Sequence, residues 1–122
     1  MSREECLRAV EDYKKAWESQ DPRAMTEIFH RDGVFVDPRY PPFAGHDAIY
    51  QFYERALANF TDPDVEYTRV VIDPPYAAAE WVSRLSHGEQ RLAYHGLSLF
   101  EVRDGKVLYQ RDYFDTGEDA KV

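Results

Sequence analysis

Gly96-Leu-Ser-Leu-Phe-Glu-Val-Arg-Asp-Gly-Lys-Val-Leu-Tyr-Gln-Arg-Asp-Tyr-Phe-Asp115 contains two strand-like runs joined by Asp104-Gly105. That dipeptide accepts the positive φ angles of a tight hairpin, so antiparallel strands are predicted over 90–102 and 106–115. By alternation, Gln110, Asp112 and Phe114 share one face of the second strand, and Arg111, Tyr113 and Asp115 share the other. Aspartate is disfavoured in strands and costly to bury. Asp112 therefore either faces water, paired with an arginine such as Arg69 or Arg91, or serves a site. If Phe114 lines a cavity, Asp112 does too.

Upstream of the hairpin, two further runs with a period of two, 65–72 and 77–86, are punctuated by Asp73-Pro74-Pro75 and His87-Gly88. Before residue 65 the period is helical. Ser2-Arg3-Glu4-Glu5 is a capping box, and Leu7, Val10, Tyr13 and Trp17 form one stripe of a helix over 3–19. Asp21-Pro22 caps a short second helix with Met25, Ile28 and Phe29 on its apolar face, ending near Asp32-Gly33. Val34-Phe35-Val36-Asp37 is a brief strand stopped by Pro38, and the three prolines of 38–45 make a loop. Ile49, Phe52, Tyr53, Ala56 and Leu57 are the buried stripe of a third helix that ends within 59–64. The order α-α-β-α-β-β-β-β predicts one α+β domain over 1–122, with helices packed on one face of a curved, mostly antiparallel sheet that the strand at 34–37 joins. Residues 116–122 read as a loose tail.

Composition narrows the function classes. With 15 Lys+Arg against 23 Asp+Glu, the chain lacks the cationic surface that a nucleic-acid partner requires. No run is long and apolar enough for a membrane span or secretory segment. Cys6 is the only cysteine, which removes disulfides and makes the cytoplasm the default compartment. His30, His46, His87 and His95 lack ligand spacing, and no Gly-rich phosphate loop is present, so no metal or cofactor is expected. Nine Tyr, seven Phe and two Trp can fill a core and still line an apolar ligand pocket.

Asp37-Pro38 closing the first strand, the Pro/Gly loop after it, Ala79-Glu80-Trp81 in a middle strand and Arg111-Asp112-Tyr113-Phe114-Asp115 at the end together resemble the SnoaL-like branch of the nuclear transport factor two superfamily, over nearly the whole chain. The resemblance implies a cone, a cystatin-like α+β barrel in which a bent sheet wraps helices and leaves a pocket at its wide end. The superfamily hosts polyketide cyclases, ketosteroid isomerase, limonene epoxide hydrolase and dehydratases. Against ketosteroid isomerase, Tyr13 matches the helix-one tyrosine eight residues before an aspartate, here Asp21. Asp37-Pro38 matches the general-base pair, and Ser98 stands where a second, aspartic oxyanion donor is found. Against limonene epoxide hydrolase, Asp112 matches the terminal-strand aspartate. The Arg-x-Asp pair of that enzyme falls near Trp81 and Ser83, and its Tyr-x-Asn on Phe35 and Asp37, so its mechanism of epoxide opening is not implied.

The site expected from these readings has Asp37 as base, held extended by Pro38, with an Asx turn as the alternative use of its carboxylate. Asp112 is a second acid/base or orienting group. Tyr13 and Ser98 stabilise an enolate, Tyr13 being otherwise a core aromatic. Trp17, Phe35, Phe52, Trp81, Tyr94 and Phe114 are walls. His95 is packed, or becomes a base near Asp112 if a bulge reverses the alternation. Leu97, Leu99, Tyr109 and Tyr113 form an apolar patch that predicts a homodimer. The expected activity is cofactor-free proton transfer next to a carbonyl of a small, apolar, oxygen-bearing ligand. The alternatives are a ligand-binding module without turnover, and a hydrolase or dehydratase using Asp112 to activate water.

Overall fold

The computed structural model describes residues 2–115; the tail expected at 116–122 lies outside them. Helix α1 (Arg3–Ser19) begins on the capping box, Ser2 Oγ accepting from Glu5 N and the Glu5 carboxylate accepting from Ser2 N. These bonds satisfy donors that a helix start otherwise leaves open. Gln20 ends α1 in the left-handed region at φ 56°. Its side-chain amide donates to the carbonyls of Leu57 and Phe60 and ties the helix to a distant segment. Cys6, Ala9, Val10, Tyr13 and Ala16 are the buried stripe, and Leu7 lies at its margin, 36% exposed.

Helix α2 (Pro22–Glu27) carries the Asp21 cap and Pro22 at its start, but it is shorter than the periodicity suggests. Phe29, read from its spacing as part of the helix, instead opens strand β1 (Phe29–Val36). The cause is tertiary: Phe29 pairs in parallel with Val107, whose N–H donates to the Ile28 carbonyl. Backbone pairing with the end of the chain outweighs the weak propensity of one helical turn. Within the 38–45 loop, a two-residue strand β2 (Phe43–Ala44) pairs with Val34 and Phe35. Helix α3 (His46–Ala56) then buries Ile49, Phe52 and Tyr53, and a 3₁₀ turn (Leu57–Asn59) follows.

Strand β3 (Thr61–Asp73) starts four residues before the predicted 65. Its register breaks between Thr61 and Asp64, around Pro63, and proline is tolerated at such a break on an edge strand. Strands β4 (Tyr76–His87), β5 (Gln90–Arg103) and β6 (Lys106–Phe114) follow as hairpins. Asp104 and Gly105 both take positive φ, as the Asp-Gly signal requires. The six strands form one sheet in the order β2-β1-β6-β5-β4-β3, antiparallel except where β1 meets β6. Ala77, Ala79, Phe100, Val102 and Val107 from the sheet join Val10, Met25, Ile49 and Tyr53 from the helices in one core. Among the described residues, no helix is long and apolar enough to cross a membrane.

A bulge in β6 aims the site. Val102 pairs with Val107 but Glu101 pairs with Tyr109, so Leu108 is an extra residue. The insertion re-phases the strand. Val107 packs in the core, and from Gln110 onward the alternation turns Gln110 and Asp112 to the same inner side.

Candidate active site

A cavity of about 570 Å³ lies between the helices and the sheet, a volume that suits a small organic ligand. Tyr13, Trp17, Phe35, Asp37, Phe52, Trp81, Tyr94, Asp112 and Phe114, all expected from the sequence, line it. Both carboxylates therefore enter one space. The walls are mostly aromatic: Trp17 stacks on Phe60 at 5.1 Å between ring centroids, and Phe52 packs on Phe43 at 4.8 Å and Phe35 at 5.3 Å.

Asp112 is 7% exposed. Its Oδ1 accepts from Ser98 Oγ at 2.6 Å and Gln110 Nε2 at 2.9 Å, while Oδ2 carries neither bond. Burial pushes its carboxyl up to about 6. The two hydrogen bonds and the Arg39 cation oppose the rise, and the neighbouring Asp37 adds to it. A carboxylate with one oxygen anchored, the other unbonded and a protonation midpoint just below neutrality is suited to taking up and returning a proton. The arginines weighed as partners are engaged elsewhere, Arg69 with Glu80 and Arg91 with the Asp62 carbonyl and Ser86 Oγ.

Asp37 follows β1 and is 3% exposed. Its carboxylate is bound on both oxygens by Arg39, with Nε on Oδ1 and Nη2 on Oδ2, both at 3.0 Å. The Arg39 backbone N–H also donates to Oδ1 at 2.9 Å, so the Asx turn and the pocket position coexist. The guanidinium lies over the Phe114 and Tyr40 rings at 5.4 and 5.5 Å, a cation–π clamp at the cavity wall. Sequence reasoning passed over Arg39; its signal was the Asp-x-Arg spacing within an Asx turn.

Gln110 and Tyr53 neighbour the Tyr13 hydroxyl. Burial first, and then the Asp112 charge, raise the Tyr13 hydroxyl well above its usual range. For Tyr53 burial again dominates, followed by Tyr13 and Asp112. Both phenols stay protonated and can donate. Tyr53 was legible only as a core position on the α3 stripe, yet it lines the cavity and its hydroxyl has no hydrogen-bond partner. Ser83 Oγ and Trp17 Nε1 are likewise unpartnered.

Two expectations are corrected. Ser98 is fully buried behind Asp112 and is not part of the cavity wall. Its single hydroxyl proton goes to Asp112 and its oxygen accepts from Trp81 Nε1 at 2.9 Å, so it has no proton left for an enolate. His95 is neither packed nor near Asp112. The β4–β5 register runs unshifted from Tyr76↔Glu101 to His87↔Gln90, so nothing reverses the alternation, and His95 is exposed on the outer face beside Glu80 and Leu97. Among the described residues, no group of three His, Cys, Asp or Glu side chains is arranged to hold a metal ion.

The SnoaL-like domain family matches residues 10–110. An uncharacterized PhzA/B-like protein of Pseudomonas aeruginosa is 32% identical over 111 residues, spanning 80% of this chain and 75% of that one. Among solved structures, a protein of ketosteroid isomerase-like fold from Catenulispora acidiphila, in complex with trimethylamine, superposes with a TM-score of 0.81 at 21% identity, covering 88% of this chain and 85% of its own. An LEH-like epoxide hydrolase of Mycobacterium tuberculosis gives 0.80 at 25% identity, covering 93% and 84%. A protein of Shewanella denitrificans described as a SnoaL-like polyketide cyclase gives 0.79 at 19%, covering 89% of each chain. The fold is thus the α+β fold of the nuclear transport factor two superfamily.

Proposed function

Because the chain belongs to the SnoaL-like domain family, we propose that its cavity binds a small, largely apolar molecule bearing oxygen and moves a proton next to a carbonyl of that ligand, in an isomerisation or an aldol-type cyclisation, without a cofactor. The observation that carries this reading is Asp112: a buried carboxylate at the cavity wall, anchored on one oxygen and raised to about 6. Asp112 serves as the base through Oδ2. Tyr13, with Tyr53 beside it, donates to the oxygen on which enolate charge develops, a role that protonated, desolvated phenols support. Asp37, the base implied by the family resemblance, has both oxygens bound by Arg39. In this reading it holds Arg39 against Phe114 and raises Asp112. Tyr53, Ser83 and Trp17, which line the cavity, carry buried polar atoms without a partner.

Exchange of α-hydrogens for deuterium in a panel of small cyclic ketones and diketones tests the reading. Exchange is expected to depend on the protein and to rise with pH through a midpoint near 6, as Asp112 ionises. Protein-dependent binding with no exchange at any pH selects the pure binding module. Turnover confined to epoxides or hydratable alkenes selects water activation by Asp112, which the Arg39 cation beside the site favours as the second reading.

The outer sheet face supports self-association. Leu99 and Tyr113 there are 37% and 49% exposed, next to half-buried Leu97 and Tyr109. A homodimer covering this patch is the expected assembly. Light scattering is expected to return about twice the 14.3 kDa chain mass; a monomer at every accessible concentration counts against the dimer.

A further inference from the structure

Behind Asp112 a chain of two hydrogen bonds leads through Ser98 to Trp81, a residue to which the proposed chemistry gives no role. Trp81 Nε1 donates to Ser98 Oγ at 2.9 Å, and Ser98 Oγ donates to Asp112 Oδ1 at 2.6 Å. The direction of the chain has no ambiguity. An indole N–H can only donate, and a hydroxyl has one proton, so once its oxygen accepts from Trp81 that proton is free to point at Asp112. Ser98 is fully buried, and water does not compete for its bond to Asp112.

The sheet makes room for this arrangement with one residue. Gly96 lies opposite both Trp81 and Phe114. A Cβ there would stand 2.6 Å from Trp81 Cη2 and 2.6 Å from the Tyr113 carbonyl oxygen. The indole occupies the space that a side chain at 96 would fill, which brings its N–H to Ser98 on the same strand face. The same indole ring system packs on Phe114, 5.9 Å between centroids.

We propose that Trp81 is a positioning residue for Asp112: seated over Gly96, its N–H orients the Ser98 hydroxyl onto Oδ1 and so leaves Oδ2 as the oxygen that exchanges protons with a ligand. The proposal deepens the reading of Asp112 as base, and rests on it only for the catalytic consequence; the relay itself is present with or without turnover. Gln110 from β6 and Asp37 with Arg39 after β1 also act on Asp112, and its charge is felt by Tyr13 from α1, Tyr53 from α3 and Tyr67 from β3. The test must isolate the relay from all of these.

The indole N–H signals of the two tryptophans are followed by NMR against pH, Trp17→Phe identifying that of Trp81, alongside the Asp112 carboxyl carbon. The Trp81 signal is expected to move with the same midpoint as Asp112, and to lose that movement in Asp112→Asn. In Ser98→Ala the indole signal stops following Asp112 and the Asp112 midpoint rises, because the carboxylate has lost a donor. Trp81→Phe raises the midpoint when Ser98 is present and has no further effect when combined with Ser98→Ala, the non-additivity expected of groups acting in series. An indole signal that follows Asp112 unchanged in Ser98→Ala overturns the proposal. So does a Trp81→Phe shift of equal size with and without Ser98→Ala, which assigns Trp81 to packing alone. If Trp81→Phe fails to fold, the Ser98→Ala indole titration decides by itself. None of these signals requires a substrate, so the relay stands or falls independently of the isomerase reading.

Discussion

Asp112→Asn is expected to lower turnover by about 10²–10⁴-fold, the usual contribution of a positioned general base, and at neutral pH to make the protein more stable. Both effects come from one property. Burial raises the Asp112 carboxyl from 3.8 to about 6, and at ~1.4 kcal/mol per pH unit this places ~3 kcal/mol of strain on the charged form. Because the folded protein holds this proton more tightly than the unfolded chain does, stability is greatest below about pH 4 and falls as pH rises through about 6, after which it is level. Asparagine keeps an oxygen for Ser98 and Gln110 and never ionises. The variant should therefore match the parent near pH 4 and exceed it at pH 7 by up to ~3 kcal/mol, read from urea unfolding at the two pH values. A stability gain with lost turnover is the trade expected when a site retains a charge that the fold disfavours. A variant less stable than the parent at pH 7, or one retaining full activity, would remove Asp112 from the role of base.

Arg39→Ala is expected to cost about 2–3 kcal/mol, less than the ~3–5 kcal/mol for breaking a fully buried ion pair. Arg39 is half exposed but Asp37 is not: their side chains are 49% and 4% accessible. Removing the guanidinium leaves a buried carboxylate with only the backbone N–H of residue 39, and the half-exposed position of Arg39 lets water replace part of what is lost. Asp37→Asn combined with Arg39→Ala should recover most of the stability, since no charge then remains uncompensated. The single variant should also move the Asp112 midpoint upward, because the Arg39 cation is one of the groups holding it down. A single variant within ~0.5 kcal/mol of the parent would mean that Asp37 is adequately hydrated and that the pair is ordinary surface chemistry.

The two variants separate the two carboxylates. One is raised chiefly by burial, with Asp37 adding to the rise and Ser98, Gln110 and Arg39 opposing it; the other is bound on both oxygens by a cation on its own turn. Two carboxylates held in such different surroundings suit different roles. In the proposed reading the base role therefore falls to Asp112 rather than to Asp37, whose carboxylate Arg39 binds on both oxygens.

Local chemistry made much of this protein legible in the sequence. The span of α1 followed from a capping box and an apolar stripe, both decided by residues three or four apart. The last hairpin followed from Asp104-Gly105, because the turn itself demands positive φ. Alternation over five residues sufficed to turn Asp112 and Phe114 to one side, and the aromatic walls from Trp17 to Phe114 were visible as inward positions of their elements. Tertiary structure decided what depends on partners distant along the chain. Phe29 leaves the helical pattern because Val107 pairs with it, and the Leu108 bulge re-phases β6 only against its partner β5. Ser98 changes from a candidate oxyanion donor to the support of Asp112 because its one proton goes to that carboxylate, 14 residues away, while its oxygen accepts from Trp81. A strand's periodicity states which way a side chain points. Which hydrogen-bond partner it finds there, and how far it is removed from water, exist only once the sheet has closed over the helices.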